Sequence, residues 1–443
     1  MTSTSELEKI NDDHKMFSVV CDVKEKKGIL SKYSISLKDA IWLKGVESTA
    51  SSAILRGFKP LENSTVAQKI LDSGGRIVGK TIQDEFGFGG FSVNVGHGYK
   101  IPLNPIDKER CAGGSSGGSA VAAKLIKNHI SIAESTGGSI TTPASFCGVV
   151  GLCPTYGRVS RNGLITYSSS LDKIGVMSQK VYDSALMLEI ISGEDEMDET
   201  SASVPSEKFT EAVSEPLSGI KKMKVGYLLP DGINNEISLN FRDNLKKISD
   251  LGVVVEEVKL PFMTKYALSA YYIVAMSEAS THLACLSGLR YGASKKIEDS
   301  EMYNDYFSNV RTEFFGEESK RRILLGTFAR MSGYRGQYYI KALKVRKKII
   351  DEYKKIFEKY DVIALPSAPV YPPKFSEIEK MSLSEIYNLD YLGVGPNLAG
   401  LPHISVPIER TEKNELPIGM LFVGDHFMES KILKFASAVE VLR

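Results

Sequence analysis

Cysteine and histidine are scarce in this 443-residue sequence, and neither occurs in a motif of known chemistry. The five cysteines include no CxxC pair, and their odd number argues against a disulfide framework and for a reducing compartment. The six histidines show no HExxH motif and no other metal-ligand spacing, so the sequence predicts no metal site. Cys111 and Cys147 are candidate nucleophiles, but neither has a recognisable histidine partner, and we expect both to be buried as small apolar side chains.

Long apolar runs and an excess of one charge are also missing. No stretch reaches the roughly 18 apolar residues of a membrane-spanning helix. Residues 1–15 have neither the apolar core of a secretion signal nor the arginine-rich pattern of an organellar presequence. The net charge of +1 indicates no overall attraction to nucleic acid or to an anionic membrane. With 42% hydrophobic and 25% charged residues, the composition is that of a globular protein, which we expect to be cytoplasmic.

What is present is an alternation of strand-like and helix-like segments. In residues 28–180, short apolar strands alternate with Gly/Ser loops and helical patterns, and strand-like runs return near the C-terminus. This alternation predicts an α/β fold with a mixed, mostly parallel sheet that is covered by helices on both faces. Strands at both ends of the chain favour a single large domain over residues 1–443. Residues 194–216, rich in Glu, Ser and Pro, are expected to form an exposed connector.

Two Gly/Ser segments, Gly113–Ser119 and Ser135–Ser139, carry the densest chemistry. Glycines let the backbone approach a ligand closely, and clustered N–H groups in such a loop can hold a developing oxyanion. A serine there becomes a nucleophile only if a base activates it. His129 and Lys38 are the two candidate bases, because a buried lysine with a lowered pKa can replace a histidine. Taken alone, His129 is more often structural and Lys38 more often solvated, so these residues by themselves leave the base open.

Longer stretches resemble the amidase signature family: Gly113–Ser119, Ser135–Pro143 and Phe146–Leu152. Ser139 follows Ser115 by 24 residues, as in that family, and Ile35–Asp39 is similar to the strand with the family's catalytic lysine. The resemblance implies that Ser139 is the nucleophile, Ser115 a bridging serine after a cis peptide bond, and Lys38 the terminal base. It implies an oxyanion hole made by the backbone N–H groups of Thr136, Gly137, Gly138 and Ser139. The implied reaction acylates the nucleophile, releases ammonia and hydrolyses the acyl-enzyme, with 28–180 as the catalytic core segment.

Other segments are similar to one branch of that family, the A subunits (GatA) of tRNA-dependent amidotransferases. They are Pro154–Arg161, Ser170–Gly175, Arg321–Thr327 and Asn397–Pro402. This resemblance implies that the carboxamide is glutamine, with Arg322 on its α-carboxylate and Asp390 on its α-amine. A guanidinium can bind a carboxylate through two parallel hydrogen bonds, and Arg321 is the alternative to Arg322.

The same resemblance implies partners. Ammonia would pass to a transamidase subunit (GatB-like) that uses ATP and Mg²⁺ to activate Glu-tRNA(Gln) or Asp-tRNA(Asn), and a small GatC-like subunit would complete a heterotrimer. This chain is expected to bind neither ATP nor a metal, and tRNA would be contacted mainly through the partner. Two alternatives stay open, a stand-alone amidase for another carboxamide and a catalytically silent scaffold subunit.

The sequence departs from the common family pattern around Ser139. Ser135 and Thr141 stand where aspartate and arginine are common, and Cys153 stands where lysine is common. The loop is more similar to archaeal members. Because the nucleophile and the glycines are intact, we expect activity with a different support of the loop. Only 37 residues precede Lys38, so the helices that usually open the fold are expected to be largely missing.

One motif is rejected on structural grounds. Gly74–Thr81 matches the phosphate-loop pattern, which requires a strand before its first glycine and a helix after its Lys-Thr pair. Here a helical pattern precedes Gly74, and Arg76–Val78 has the pattern of a buried strand. The basic run Lys344–Lys348 has helical spacing and is expected to be a solvated face rather than a tRNA contact.

Overall fold

The computed structural model describes residues 2–297, 302–408 and 415–443, and eleven strands within them join into one sheet. In chain order the strands are β1 Phe17–Val23, β2 Ser34–Lys38, β3 Arg76–Thr81, β4 His129–Ser135, β5 Val150–Cys153, β6 Lys173–Ser178, β7 Lys224–Tyr227, β8 Val254–Glu257, β9 Val362–Pro366, β10 His403–Pro407 and β11 Gly419–Gly424. Their order across the sheet is β1-β3-β2-β4-β6-β5-β10-β11-β9-β7-β8. Strands from both ends of the chain thus share one sheet, as predicted.

Fifteen α-helices lie within the same described residues. They are α1 Thr4–His14, α2 Thr65–Asp72, α3 Gly117–Leu125, α4 Thr141–Cys147, α5 Val181–Ile191, α6 Phe209–Ser214, α7 Asn235–Asp250, α8 Pro261–His282, α9 Tyr303–Phe314, α10 Glu317–Arg330, α11 Tyr339–Phe357, α12 Phe375–Ile378, α13 Leu383–Asn388, α14 Val394–Leu398 and α15 Glu429–Leu442. None of the helices in these ranges combines the length and apolarity needed to cross a membrane.

The sheet is mixed, as expected, but the prediction that it is mostly parallel is wrong. Only β2 with β3 and β4, and β7 with β8 and β9, run parallel. The other six neighbouring pairs are antiparallel. Parallel neighbours need a crossover connection of about a dozen residues or more, usually a helix. Only residues 408–418 separate β10 from β11, so these two strands pair antiparallel.

Helices cover both faces of the sheet, which the alternation of side chains along each strand demonstrates. On β4, Ile130 and Ile132 belong to the larger apolar cluster, to which α5 contributes Ala185 and Leu188. The next residue, Ala133, belongs to a second cluster, which contains the small residues of α3. The strands at the centre of the sheet are therefore buried on both sides, as the prediction of two covered faces requires.

The chain before Lys38 forms α1 and β1, which the sequence did not predict. Ser3 caps α1 with its side chain, and β1 pairs antiparallel with β3 at the edge of the sheet. That the helices which usually open the family fold are largely missing stays a prediction. Helix α2 agrees with its prediction: the Ser64 hydroxyl caps it at 3.2 Å from the Ala67 backbone nitrogen, and it ends at Asp72, just before Gly74.

The connector prediction for residues 194–216 is only partly right. Much of this segment is exposed or half-exposed, but Phe209 on α6 is fully buried in the core. Two of its acidic residues also contact the body of the protein: Asp195 accepts a hydrogen bond from Thr65, and Glu207 pairs with Arg158. The high Glu and Ser content thus reflects specific contacts as well as solvation.

Candidate active site

Lys38 lies at the end of β2, in the interior of the protein. Its side chain is fully buried, and its ammonium nitrogen is 2.7 Å from Ser115 Oγ. Nζ also lies 2.9 Å from the backbone oxygen of Glu134 and 2.9 Å from Glu134 Oε2. These contacts arise because β2 and β4 are parallel neighbours, so the C-terminal ends of both strands meet at one place. The lysine that the sequence left as either base or surface residue is therefore part of a buried cluster.

Ser115 belongs to the glycine-rich loop that precedes α3. The peptide bond between Gly114 and Ser115 is cis, as the family resemblance predicts. Asp84 lies behind this loop, where its carboxylate accepts backbone N–H bonds from Ser92 and Asn94, and its own N–H donates to Ser115 O. Burial raises the pKa of Asp84 to about 6, against these two backbone donors. No side chain larger than hydrogen fits at Gly114, because a β-carbon there would overlap the Asp84 carboxylate.

Ser139 lies between β4 and α4, beside the Ser115 loop. The Ser116 N–H donates to Ser139 O at 3.2 Å, which joins the two Gly/Ser segments. Ser139 is 5% exposed whereas Lys38 and Ser115 are at 0%, so of the three it is nearest to solvent. Among the described residues, no acceptor is hydrogen-bonded to the backbone N–H groups of Gly137, Gly138 or Ser139. Unpaired N–H groups beside a serine hydroxyl are what an oxyanion hole requires.

Arg322 is buried on α10, and four aromatic rings surround its guanidinium. The rings of Phe88, Tyr272, Tyr167 and Tyr387 have centroids 5.0 to 5.7 Å from Cζ. Nε donates to Glu318 at 2.8 Å and Nη1 donates to the Tyr167 hydroxyl at 2.6 Å. The neighbouring side chain, Arg321, is 37% exposed and also contacts Glu318. Burial in an aromatic enclosure distinguishes Arg322 from Arg321 as the residue of an internal site.

Asp390 is buried beside the Ser139 loop. A β-carbon built on Gly138 would lie 3.3 Å from Asp390 Oδ1, so the carboxylate faces this loop directly. The Tyr272 hydroxyl donates to Asp390 Oδ2 at 2.6 Å, and the Tyr272 ring is one of those around Arg322. Burial raises the pKa of Asp390 to about 6, while the hydrogen bond from Tyr272 and the charge of Arg322 act in the opposite direction. The structure therefore brings Arg322, Asp390 and the Ser139 loop together around Tyr272.

Known proteins resemble this chain in sequence and in fold. The amidase family model matches residues 14–433, which is most of the chain. The chain belongs to the amidase family. It is 45% identical to an A subunit of glutamyl-tRNA(Gln) amidotransferase, numbered 2, of Clostridium acetobutylicum, over 94% of this chain and 86% of the relative. It is 43% identical to the corresponding A subunit of a Geobacillus species, over 93% and 83%. The crystal structure of the A subunit from Thermotoga maritima superposes with a TM-score of 0.81 at 37% identity, over 98% of this chain and 89% of that one.

These relatives are bacterial, whereas the similarity of the Ser139 loop to archaeal amidases stays a prediction. The structure shows how this amidase supports the loop without the common aspartate and arginine. The Ser135 hydroxyl donates to Gly137 O at 2.9 Å, and the Thr141 hydroxyl to Gly138 O at 3.4 Å. These two bonds fix the carbonyl groups of Gly137 and Gly138, the two residues that precede Ser139. Asn397 then contacts Ser135 and Cys153, at 3.4 and 3.7 Å.

The sequence alone did not predict a role for Glu134, the acidic residue of this amidase that contacts Lys38. Its Oε1 lies 2.8 Å from the hydroxyl of Thr136, and that hydroxyl also lies 2.8 Å from Asp172 Oδ1. Burial and the charge of Glu134 raise the pKa of Asp172 well above its usual value. The sequence does contain a signal for this ion pair. A lysine ends β2 and a glutamate lies next to the end of β4, so parallel pairing of the two strands brings opposite charges to one edge of the sheet.

The rejected candidates of the amidase sequence lie elsewhere. His129 is buried with both ring nitrogens 2.9 Å from serine hydroxyls, those of Ser34 and Ser36, and burial lowers its pKa to about 3. Cys111 and Cys147 are buried, and burial raises the pKa of both thiols, so neither is poised as a thiolate.

Lys80 lies inside β3 and donates to Asp39 O and Ser48 Oγ, which is incompatible with a phosphate loop. In the part of the chain that the structure describes, no group of three His, Cys, Asp or Glu residues could hold a metal ion.

Proposed function

We propose that this amidase is the glutamine-hydrolysing subunit of a tRNA-dependent amidotransferase, with Ser139, Ser115 and Lys38 as its catalytic residues. The observation that carries the proposal is one buried site with two parts. A lysine at 2.7 Å from Ser115 lies beside the Ser139 loop, Asp390 faces the same loop, and Arg322 contacts the Tyr272 ring whose hydroxyl donates to Asp390. The names of the relatives, which are A subunits of glutamyl-tRNA(Gln) amidotransferases, support the same proposal.

The chemistry begins with the Ser139 hydroxyl. Its proton passes to Ser115 Oγ, while the proton of Ser115 passes to Lys38 Nζ, so that Ser139 Oγ can bond to the amide carbon of glutamine. The backbone N–H groups of Thr136, Gly137, Gly138 and Ser139 stabilise the oxyanion, a contribution of about 10²-fold or more per donor. The proton held by Lys38 returns through Ser115 to the leaving nitrogen, and ammonia departs. Water then hydrolyses the acyl-enzyme by the same proton path and releases glutamate.

Recognition of glutamine rests on Arg322 and Asp390. The Nη atoms of Arg322 pair with the α-carboxylate of glutamine, and Asp390 pairs with its α-ammonium group, which gives two charge-assisted contacts. An amide without charged α-substituents would bury the N–H donors of Arg322 that Glu318 and Tyr167 do not use, and Asp390 would keep only the Tyr272 hydroxyl as a partner, which is costly. This cost disfavours a stand-alone amidase for apolar amides. The complete lysine–serine–serine arrangement likewise disfavours a silent scaffold.

The proposal includes partners. Ammonia passes to a GatB-like transamidase subunit that uses ATP and Mg²⁺ on Glu-tRNA(Gln) or Asp-tRNA(Asn), and a small GatC-like subunit completes a cytoplasmic complex. An exposed apolar face on α10, formed by Leu324, Leu325 and Phe328, supports a docked subunit, because contiguous exposed apolar residues often mark interaction sites. The same helix carries Arg322 on its buried side. A transamidase subunit on this face would therefore adjoin the glutamine site.

The test uses Ser139→Ala in the assembled complex. We expect ammonia release from glutamine to fall to background, while thermal unfolding matches the wild type. Ser145→Ala, a buried serine on α4 outside the site, is the matched control and should keep normal turnover. Mass spectrometry of the wild type with glutamine should find the acyl group on Ser139, which would exclude the scaffold role. Normal turnover by the Ser139 variant would disprove the mechanism.

A further inference from the structure

Lys38 has more acceptors than a lysine–serine pair requires. An ammonium group has three N–H donors and no acceptor, and here three acceptors lie within 2.9 Å of Nζ: Ser115 Oγ, the backbone oxygen of Glu134 and Glu134 Oε2. The neutral amine also fits, with its lone pair toward the Ser115 hydroxyl and its two hydrogens toward Glu134. Glu134 therefore orients Lys38 in both protonation states.

The protonation of Glu134 follows from the hydroxyl of Thr136. That hydroxyl lies 2.8 Å from Glu134 Oε1 and 2.8 Å from Asp172 Oδ1, but it has only one hydrogen to donate. One of the two carboxyl groups must therefore donate to Thr136 and carry a proton. Glu134 has a cation at 2.9 Å, whereas Asp172 Oδ2 is occupied by the N–H groups of Tyr167 and Ser168. The consistent assignment is Asp172 protonated at Oδ1, donating to Thr136, which donates to an ionised Glu134.

The raised pKa of Asp172, due to burial and then to the charge of Glu134, supports this assignment.

Three acidic groups lie near Lys38 and come from different elements. Glu134 on β4 touches it, Asp84 in the loop after β3 is within electrostatic range, and Asp172 before β6 lies behind Thr136. Of these, only Glu134 is in direct contact with the nitrogen.

We propose that Glu134 is a positioning residue, an ionised counter-charge that orients Lys38 and stabilises its ammonium form during acylation. The inference rests on the proposed function. When the Ser139 O–H bond breaks, one proton ends on Lys38 Nζ, and the negative carboxylate beside it offsets the new positive charge. When ammonia leaves, that proton has returned to the substrate nitrogen. Lys38 is then neutral again and, with Glu134 beside it, can accept the proton that deacylation releases.

The test is the pH dependence of kcat in Glu134→Gln. We choose kcat because it reports the enzyme–substrate complex, in which Asp390 is already paired. An adjacent opposite charge raises the proton affinity of a lysine, and its removal lowers that affinity. We expect the ascending limb of kcat to move to lower pH by about one unit or more, with a lower plateau and an unchanged KM. Glu429→Gln, which removes a buried carboxylate beside Arg158, should leave the limb in place.

A folded Glu134→Gln enzyme with an unmoved limb would overturn the inference, and would assign the limb to another group such as Asp84. If Glu134→Gln does not fold, Glu134→Asp serves in its place, because it retains the charge but withdraws it by one methylene. Its limb should move in the same direction by less, and an unmoved limb there also overturns the inference. Failure of the proposed function is distinguishable, since it would appear as glutamine hydrolysis by Ser139→Ala.

Discussion

Lys38 Nζ lies 2.7 Å from Ser115 Oγ, although 77 residues separate them in the chain. The contact exists because β2 ends where the Ser115 loop crosses the C-terminal edge of β2 and β4. Both side chains are fully buried, so the surrounding protein fixes their positions relative to each other. The pair converts a weak sequence signal, a lysine at a strand end, into a defined chemical arrangement beside Ser139.

The first prediction separates Arg322 from its neighbour. Arg322→Ala should raise KM for glutamine by about 10- to 100-fold, because a charge-assisted hydrogen bond contributes about 1.5–3 kcal/mol and each 1.4 kcal/mol is tenfold. Arg321→Ala is the matched control, since Arg321 also contacts Glu318 but is partly exposed. Steady-state kinetics on both variants, with thermal unfolding to verify folding, decides the point. Equal KM values would remove Arg322 from the substrate site.

A second prediction concerns pH and Asp390. Its pKa is raised to about 6 by burial, so the carboxylate is ionised above that pH and neutral below it. Only the ionised form pairs with the α-ammonium of glutamine. KM should therefore rise as pH falls through about 6, whereas Asp390→Asn should bind weakly at every pH without this dependence. A KM that is flat across this range in the wild type would contradict the assignment.

The third prediction tests the space around Gly138. A β-carbon there would lie 2.9 Å from Thr142 Oγ1 and 3.3 Å from Asp390 Oδ1. Gly138→Ala should shift the loop and lower kcat/KM by about 100-fold, as small misplacements of catalytic groups do. Gly333→Ala, where nothing lies within 4 Å of the added carbon, should behave as the wild type. Comparable activity of the two variants would show that the loop tolerates a side chain.

The fourth prediction addresses the exposed face of α10. Leu324, which is 71% exposed, should become buried beneath the transamidase subunit. Leu324→Lys should reduce co-purification of the partner subunits from the native cell, because a charge in an apolar interface is costly to desolvate. Leu61→Lys, at a residue that is 86% exposed on the loop before α2, should leave the complex intact. Unchanged assembly with Leu324→Lys would place the partner elsewhere.

The local parts of this amidase were accessible from its sequence. Glycine-rich loops, their 24-residue spacing and the strand ending at Lys38 are patterns in the sequence, and their resemblance to the amidase signature family predicts catalytic roles for Ser139, Ser115 and Lys38. The helix before Gly74 likewise excluded a phosphate loop. Such features depend on local backbone geometry, which neighbouring residues determine.

Other features depend on which distant segments meet, and only the tertiary structure decided them. The contact of Glu134 with Lys38 spans 96 residues and requires β2 and β4 to be adjacent and parallel. The direction of the remaining strands depends on how each connection crosses the sheet, so the prediction of a mostly parallel sheet failed. The enclosure of Arg322 by four aromatic rings assembles residues from Phe88 to Tyr387. Periodicity within a segment specifies which side chains are buried, but only the packing of strands and helices specifies which buried charges become partners.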